Sequence, residues 1–154
     1  MTQTTRRYLI VGNQTLGGDH LAETVRECQS RGSSSFHLLV PATPPGHYLV
    51  WTEGEAMMLA RLRLARGVAQ LREIQVEVTG EVGDANPVDA IGDVLARQPF
   101  DEIILFTLRP GLSRWLHQDL PRRAARRFAV PITHVVAPLE PIVPAEMLRP
   151  RRAG

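Results

Sequence analysis

The sequence contains no lysine, and its only cysteine is Cys28. A single cysteine excludes an internal disulfide framework and any zinc site built from several cysteines. No apolar run approaches the roughly 20 residues that a membrane-spanning helix needs, and the N-terminus is too polar for a signal peptide. These absences predict a cytoplasmic protein that makes no use of a membrane.

The remaining composition is typical of one globular domain. The chain has 154 residues, of which 44% are hydrophobic and 22% are charged. That mixture is unlike the composition of disordered proteins, which are poor in hydrophobic residues and rich in charge. A chain of this length can also bury a complete core without the help of a metal.

All 18 basic residues are arginine, which GC-rich coding alone would produce. The net charge of +2 therefore says little about nucleic acid, and we expect no specific nucleic-acid binding. One stretch does concentrate positive charge around a single acid, Asp119, and its arginines are Arg109, Arg114, Arg122, Arg123, Arg126 and Arg127. Two explanations stay open: a solvated helix face, or guanidinium groups that bind an anion or an acidic protein.

Five short strand patterns alternate with helical patterns along the chain. The predicted strands are 8–11, 36–40, 76–79, 101–107 and 131–136, and the predicted helices are 19–31, 52–71, 87–97 and one that begins at Leu120. Such alternation favours parallel strands joined by right-handed crossovers, with apolar strands at the centre and the third strand at or near an edge. The prediction is an α/β fold, a three-layer α/β/α sandwich over residues 1–137. Residues 138–154 hold four prolines and are predicted to be an arm or a disordered tail.

The predicted helices have recognisable ends and faces. Asp19 is a good N-cap for the first helix, Thr52 with Glu55 forms a capping box, and Asn86 precedes Pro87 at the start of the third helix. Asp119 is expected to cap the helix that follows it. In the second helix, the apolar residues predicted to face the core are Met58, Leu62, Ala65 and Ala69.

Several of these segments resemble the universal stress proteins, of the adenine nucleotide alpha hydrolase-like superfamily. The similarity covers roughly residues 6–137 and rests on Gly83-Asp84 followed by Pro87-x-x-Ala90-Ile91, on Phe100-Asp101-Glu102-Ile-Ile-Leu, and on Gly111-Leu-Ser-Arg-Trp-Leu followed by Val130-Pro131-Ile. The resemblance implies a five-stranded, Rossmann-like sheet in the order 3-2-1-4-5, and in many members of the family a homodimer.

The chain departs from the ATP-binding members of that family. Their Gly-x2-Gly-x9-Gly-Ser/Thr motif, aligned here on Gly111-Leu-x-Arg, falls on Leu105, Leu108, Gln118 and Asp119. Glycines in such a motif let the backbone approach phosphates, and a hydroxyl at a helix N-terminus completes the anion site. The family's acidic residue after the first strand falls at Gly12 or Asn13. We therefore expect no ATP binding in the family's usual pose, and no cofactor is predicted.

Catalytic and metal sites are not evident in the sequence. Ser113, His117 and Asp119 have the residue types of a nucleophilic triad, but they lie within seven residues and no nucleophile elbow precedes them. The five histidines lack the spacing of metal ligands. The expectation is a protein that is not an enzyme and holds no metal.

Ligand binding is expected where the carboxyl ends of the first and fourth strands meet, since open α/β sheets bind ligands at such a switch point. The candidate ligand- or anion-binding residues are Asn13, Gln14, Thr15, Thr107, Arg109, Arg114, Asp119, Arg122 and Arg123. Two functions stay open. One is a non-catalytic, regulatory or small-ligand module of the universal stress type. The other is a protein-interaction module with a vestigial crevice, which uses the arginine-rich helix or the Pro-rich arm.

The apolar composition of the fifth strand predicts how the chain assembles. Its Ile132, Val135 and Val136 are too apolar for an open sheet edge, which favours a homodimer through this strand and the C-terminal arm. The alternative is that the arm folds back over its own edge and leaves a monomer.

Overall fold

Strands and helices alternate strictly up to the fourth strand. The computed structural model describes residues 4–16, 18–44, 52–108, 114–117 and 119–137, without the side chains of Arg114 and His117. The elements in chain order are β1 Arg6–Val11, α1 Asp19–Ser30, β2 Ser34–Pro41, α2 Glu53–Glu73, β3 Val78–Gly83, α3 Pro87–Arg97, β4 Glu102–Thr107, α4 Arg114–His117, α5 Leu120–Arg127 and β5 Ile132–Val136.

All five strands are parallel, in the order β3-β2-β1-β4-β5. The predicted fold class and strand order are therefore confirmed. Every residue of β4 is buried, as is expected for a strand covered on both faces. β3 lies at one edge of the sheet, as predicted from its alternating pattern, and β5 lies at the other.

The sheet separates two hydrophobic cores. One core joins Ile10 and Leu38 of the sheet to Leu21 and Val25 of α1. The other core joins strand residues that point to the opposite face of the sheet, such as Leu9, to residues of α3 such as Ile91. Because neighbouring strand residues point to opposite faces, continuous apolar runs in β1, β2 and β4 supply both cores at once.

Two of the predicted helix caps are confirmed. The Thr52 hydroxyl accepts a hydrogen bond from the Glu55 amide at 3.1 Å, and Asn86 Oδ1 accepts from the Val88 amide at 3.0 Å. Both helices therefore begin where a side chain satisfies backbone amides that have no partner within the helix.

Two other predicted caps are wrong. Asp19 is the first residue of α1, and Gly18 occupies the N-cap without a side-chain bond. Asp119 occupies the N-cap of α5, but its backbone is left-handed, with φ 54° and ψ 40°, and its side chain makes no capping bond. A capping side chain needs an extended backbone at this position, whereas Asp119 turns the chain between α4 and α5.

The third strand was expected at 76–79 but runs over Val78–Gly83. Gly80 and Gly83 look like turn residues in the sequence, yet both lie within the strand. Their lack of a side chain lets the helices pack close against the strand there. A methyl group at Gly80 would lie 2.6 Å from Cδ1 of Leu64, and one at Gly83 would lie 2.8 Å from Cβ of Ala90. Similarly, β2 starts at Ser34, two residues before the strand predicted at 36–40.

The predicted core face of α2 is also wrong. The buried residues are Ala56, Ala60, Gly67 and Leu71, whereas Met58 and Leu62 are 65% and 62% exposed. Ala65 and Ala69 are exposed as well. Small residues let α2 lie close to the sheet, whereas its larger apolar residues Met58 and Leu62 lie on the opposite face.

The predicted tail at 138–154 lies outside the described residues. Among the helices that the structure describes, none combines the length and the apolar character needed to cross a membrane.

Candidate functional site

The loop that follows β1 is held tightly against the end of the sheet. The Gly12 amide donates to the Leu39 carbonyl at 3.2 Å. A methyl group at Gly12 would lie 2.9 Å from Cδ2 of Leu16 and 3.1 Å from the Thr15 hydroxyl. Glycine is therefore needed here, because the loop folds back over the end of β1.

Asn13 links this loop to two other elements. Its side chain is buried, and Nδ2 donates to the Pro41 carbonyl at the end of β2 at 2.7 Å. Oδ1 accepts a hydrogen bond from Nη1 of Arg63. Arg63 thus extends from α2 to the carboxyl edge of the sheet, where the ends of β1 and β2 meet.

The charge of Arg63 is poorly compensated. Burial lowers the pKa of its guanidinium from the usual value. Among the residues that the structure describes, no carboxylate forms an ion pair with it, and its hydrogen-bond acceptor is a neutral amide. Removing a cation from water without a counterion costs free energy. An anion entering this edge of the sheet would recover part of that cost.

Two buried polar atoms close to this loop have no partner among the described residues. The Thr15 side chain is 5% exposed, and its hydroxyl makes no hydrogen bond within the described structure. Gln70 donates through Nε2 to the Gly18 carbonyl at 3.0 Å, while its Oε1 is buried without a partner. A buried hydroxyl without a partner usually indicates a missing water or ligand.

The end of β4 lies on the other side of β1 from β2. Thr107 is buried, and its hydroxyl lies 2.6 Å from Nε2 of His134 on β5. Partial desolvation lowers the pKa of His134 below its ordinary value, so the neutral imidazole predominates near pH 7. Thr107 is therefore already engaged by a neutral partner.

An aromatic side chain lies at the same edge of the sheet. Trp115 of α4 is 7% exposed, and its Nε1 donates to the Thr43 hydroxyl at 3.3 Å. Thr43 in turn donates to the Ala85 carbonyl at 2.7 Å. This chain of bonds ties α4 to the loops that follow β2 and β3.

The structure brings together only some of the predicted site residues. Asn13, Gln14, Thr15 and Thr107 all lie at the carboxyl edge of β1 and β4. Arg122 and Arg123 are exposed on α5, and Asp119 is exposed in the turn before it. Arg109 lies outside the described residues, and so does the side chain of Arg114.

Arg63 was missed by the sequence analysis. It lies between Arg61 and Arg66 in α2, and a helical segment so rich in charge is usually a solvated surface. The available signal was Gly67, one turn further on, where a glycine inside a helix indicates a close approach. Its added methyl group would lie 3.6 Å from the Leu16 carbonyl, so this face of α2 packs against the β1 loop.

A cavity of about 300 Å³ lies near Tyr8 and Cys28, at the amino ends of the strands. Its two arginines are compensated, since Arg6 pairs with Glu102 at 3.2 Å and Arg31 pairs with Glu27 at 3.0 Å. Burial raises the pKa of the Cys28 thiol, which makes it a poor nucleophile. This cavity therefore lacks the uncompensated charge found at Arg63.

His37 lies within β2, and both of its ring nitrogens have partners. His37 is buried between the Thr79 hydroxyl at 2.6 Å and the Glu81 carboxylate at 2.8 Å. Burial raises the pKa of Glu81, but hydrogen bonds from Arg97 and His37 outweigh that effect and hold the pKa below its usual value. Within the described ranges, no three histidine, cysteine or acidic side chains form a group that could hold a metal ion.

Comparison with known proteins identifies the fold but not a family. A scan against protein-family models finds no match, and no curated protein matches the sequence. Among solved structures, a universal stress protein from Archaeoglobus fulgidus superposes with a TM-score of 0.58 at 15% sequence identity. The match covers 85% of this chain and 98% of that one. The chain therefore has a universal stress protein-like fold.

Proposed function

We propose that this protein is a non-catalytic module that binds a small anionic ligand at the carboxyl edge of β1. The observation that carries the proposal is the half-buried guanidinium of Arg63, which has no described carboxylate partner. The buried Thr15 hydroxyl supplies a second polar group in the same loop as Asn13. An oxyanion would neutralise the first group and accept a hydrogen bond from the second.

Mg-ATP is not the ligand that this proposal favours. In the alignment with ATP-binding universal stress proteins, Leu105 and Leu108 replace two of the motif glycines. Both leucines are buried, so their side chains occupy space that a closely bound phosphate would need. The cationic group of the proposed site instead comes from α2.

Isothermal titration calorimetry with inorganic phosphate, succinate and Mg-ATP tests the proposal. Replacing Arg63 by glutamine removes a charge-assisted hydrogen bond, which is worth about 1.5–3 kcal/mol, so the affinity for the binding anion should fall about ten- to a hundredfold. Arg26→Gln, at an exposed position of α1, is the matched control for the loss of one positive charge. It should leave the affinity unchanged.

Two outcomes of that titration would reject the site. In the first, Arg26→Gln weakens binding as much as Arg63→Gln does, which would indicate a general effect of net charge. In the second, none of the anions binds the wild-type protein. Tight binding of Mg-ATP alone would instead indicate the same ligand as in the ATP-binding universal stress proteins.

A second candidate function is protein interaction through α5. This helix of eight residues exposes three arginines, Arg122, Arg123 and Arg126. The fourth, Arg127, forms an ion pair with Asp89, with 3.4 Å between Nη1 and Oδ1. Such a surface would attract an acidic protein rather than a small ligand. Removing the charges of Arg122 and Arg126 would then abolish partner binding and leave phosphate binding intact.

The homodimer is proposed to form through β5. This strand is an open edge in the described chain, and Val136 is 49% exposed. A second copy would cover both the unpaired backbone groups and this apolar side chain.

A further inference from the structure

The outward face of α2 carries apolar side chains that the fold leaves in solvent. Met58 and Leu62 are 65% and 62% exposed, and Ala65 and Ala69 are exposed on the same face. With 3.6 residues in each turn, this stripe lies opposite the residues that α2 buries against the sheet. The core of the chain therefore does not account for it.

The spacing of the stripe is that of a helix–helix seam. Positions 58, 62, 65 and 69 are separated by four, three and four residues, which is the alternation of the a and d positions of a coiled coil. The seam spans about three turns of a helix of 21 residues. A stripe of this shape fits another helix better than it fits a strand or a small molecule.

We propose that the stripe binds α2 of a second copy of this chain in antiparallel orientation. A two-fold axis between positions 63 and 64 places position 58 opposite 69 of the second copy, and position 62 opposite 65. Each layer then joins one large side chain, Met58 or Leu62, to one alanine. Parallel pairing would place Met58 against Met58 and alanine against alanine, which would crowd one end of the seam and leave voids at the other.

Charges at the ends of the seam favour the same orientation. The two-fold axis places Glu55 opposite Arg72 of the second copy, and this happens at both ends. Parallel helices would place Glu55 opposite Glu55 and Arg72 opposite Arg72. Glu73 lies beside Arg72 and adds a second carboxylate at each end. Exposed ion pairs contribute little free energy. These charges therefore set the direction of pairing more than its strength.

The contact is expected to be weak and separate from the β5 edge. Four apolar residues on each helix cover much less than the roughly 800 Å² per partner of a standard interface. Association should therefore depend on concentration. α2 packs against β2 and β3, whereas β5 is at the far edge of the sheet, so one chain can make both contacts.

Disulfide trapping tests the pairing and its direction. In the antiparallel seam, the two thiols of an Ala65→Cys dimer are three residues apart along the axis, about 4.5 Å, whereas those of Ala69→Cys are eleven residues apart, about 16.5 Å. The axial offset alone puts the second pair beyond the reach of a disulfide, whereas the first pair can be bridged after a small shift of the helices. The wild-type protein, whose Cys28 is buried, measures the background.

At high micromolar concentration under mild oxidation, Ala65→Cys should form disulfide dimers roughly ten times faster than Ala69→Cys, because only its thiols are close enough to react. Adding Leu62→Glu to Ala65→Cys should remove this excess, since it places a carboxylate inside the seam. Equal rates for the two cysteine variants, faster trapping of Ala69→Cys, or no trapping of either would overturn the proposal.

Discussion

At the scale of single residues, the carboxyl edge of β1 holds a cation and a hydroxyl whose interactions are incomplete. Among the described residues, Arg63 donates to an amide and no carboxylate pairs with it, and the Thr15 hydroxyl is buried without a described partner. Each of these costs free energy in the unliganded fold. An oxyanion would satisfy both groups, which is why we propose an anion rather than a neutral molecule for this site.

His134 supplies a test of the electrostatics at the end of β4. Burial lowers its pKa in the folded state, so the unfolded chain binds more protons as the pH falls below the ordinary value of about 6.5. The free energy of unfolding should therefore fall between pH 7 and pH 5. Urea unfolding of His134→Gln should show a smaller fall over this interval than the wild-type protein does.

The pH range separates His134 from Glu81. The pKa of Glu81 is held below its usual value, so its contribution to stability is lost only at more acidic pH, as the carboxylate becomes protonated. An identical loss of stability between pH 7 and pH 5 in the wild-type and His134→Gln proteins would contradict the account of His134.

Some site residues were predictable from the sequence and one was not. Asn13, Thr15 and Thr107 follow or end strands, and the fold class alone places such residues at the carboxyl edge. Arg63 reaches that edge from the middle of a helix. Its position depends on which face of α2 packs against the sheet. The apolar pattern of the helix predicts the wrong face, because Met58 and Leu62 are exposed.

At the scale of elements, small residues decide how closely the helices approach the sheet. Alanine and glycine form much of the buried face of α2, and Gly83 meets Ala90 of α3. Patterns of large apolar residues predict where helices lie in the sequence, and those predictions were confirmed for α2 and α3. They do not reveal a face that packs through small residues, so the core side of α2 and the extent of β3 were predicted incorrectly.

A pair of glycine substitutions measures this close packing. Gly83→Ala would place a methyl group 2.8 Å from Cβ of Ala90, so it should lower the free energy of unfolding by about 1–3 kcal/mol. Gly54→Ala, in the exposed first turn of α2 with its nearest neighbour at 3.9 Å, should raise it by about 0.5–1 kcal/mol. Urea unfolding compares the two variants, and a Gly83→Ala protein as stable as the wild type would contradict the packing described here.

At the scale of the whole molecule, the doubly wound sheet brings residues from the β1 loop, β2 and α2 to one edge. The alternation of strand and helix predicted parallel strands, because few other arrangements join such strands by short crossovers. The resemblance to universal stress proteins implied their order in the sheet. The β5 edge of the sheet and the outward face of α2 are open in the described part of the chain. These two surfaces are the proposed contacts between copies.

The proposed β5 contact predicts a dimer that a single charge disrupts. Val136→Asp should shift the mass measured by light scattering from twice the chain mass toward 17.1 kDa, because the charge would lie at the strand edge. Gln29→Glu, at an exposed position of α1, controls for a general effect of acidity. A wild-type protein that is monomeric at low micromolar concentration would refute the β5 dimer.

The site at Arg63 is tested most directly by NMR titration of the isotopically labelled protein with inorganic phosphate. The backbone amides of Asn13 and Thr15 and the Nε–H of Arg63 should shift together along one saturable curve. Arg63→Gln should abolish those shifts, whereas Arg26→Gln should preserve them. Saturable shifts confined to the arginines of α5, or no saturable shift at Asn13, Thr15 and Arg63, would contradict an anion site at the carboxyl edge of β1.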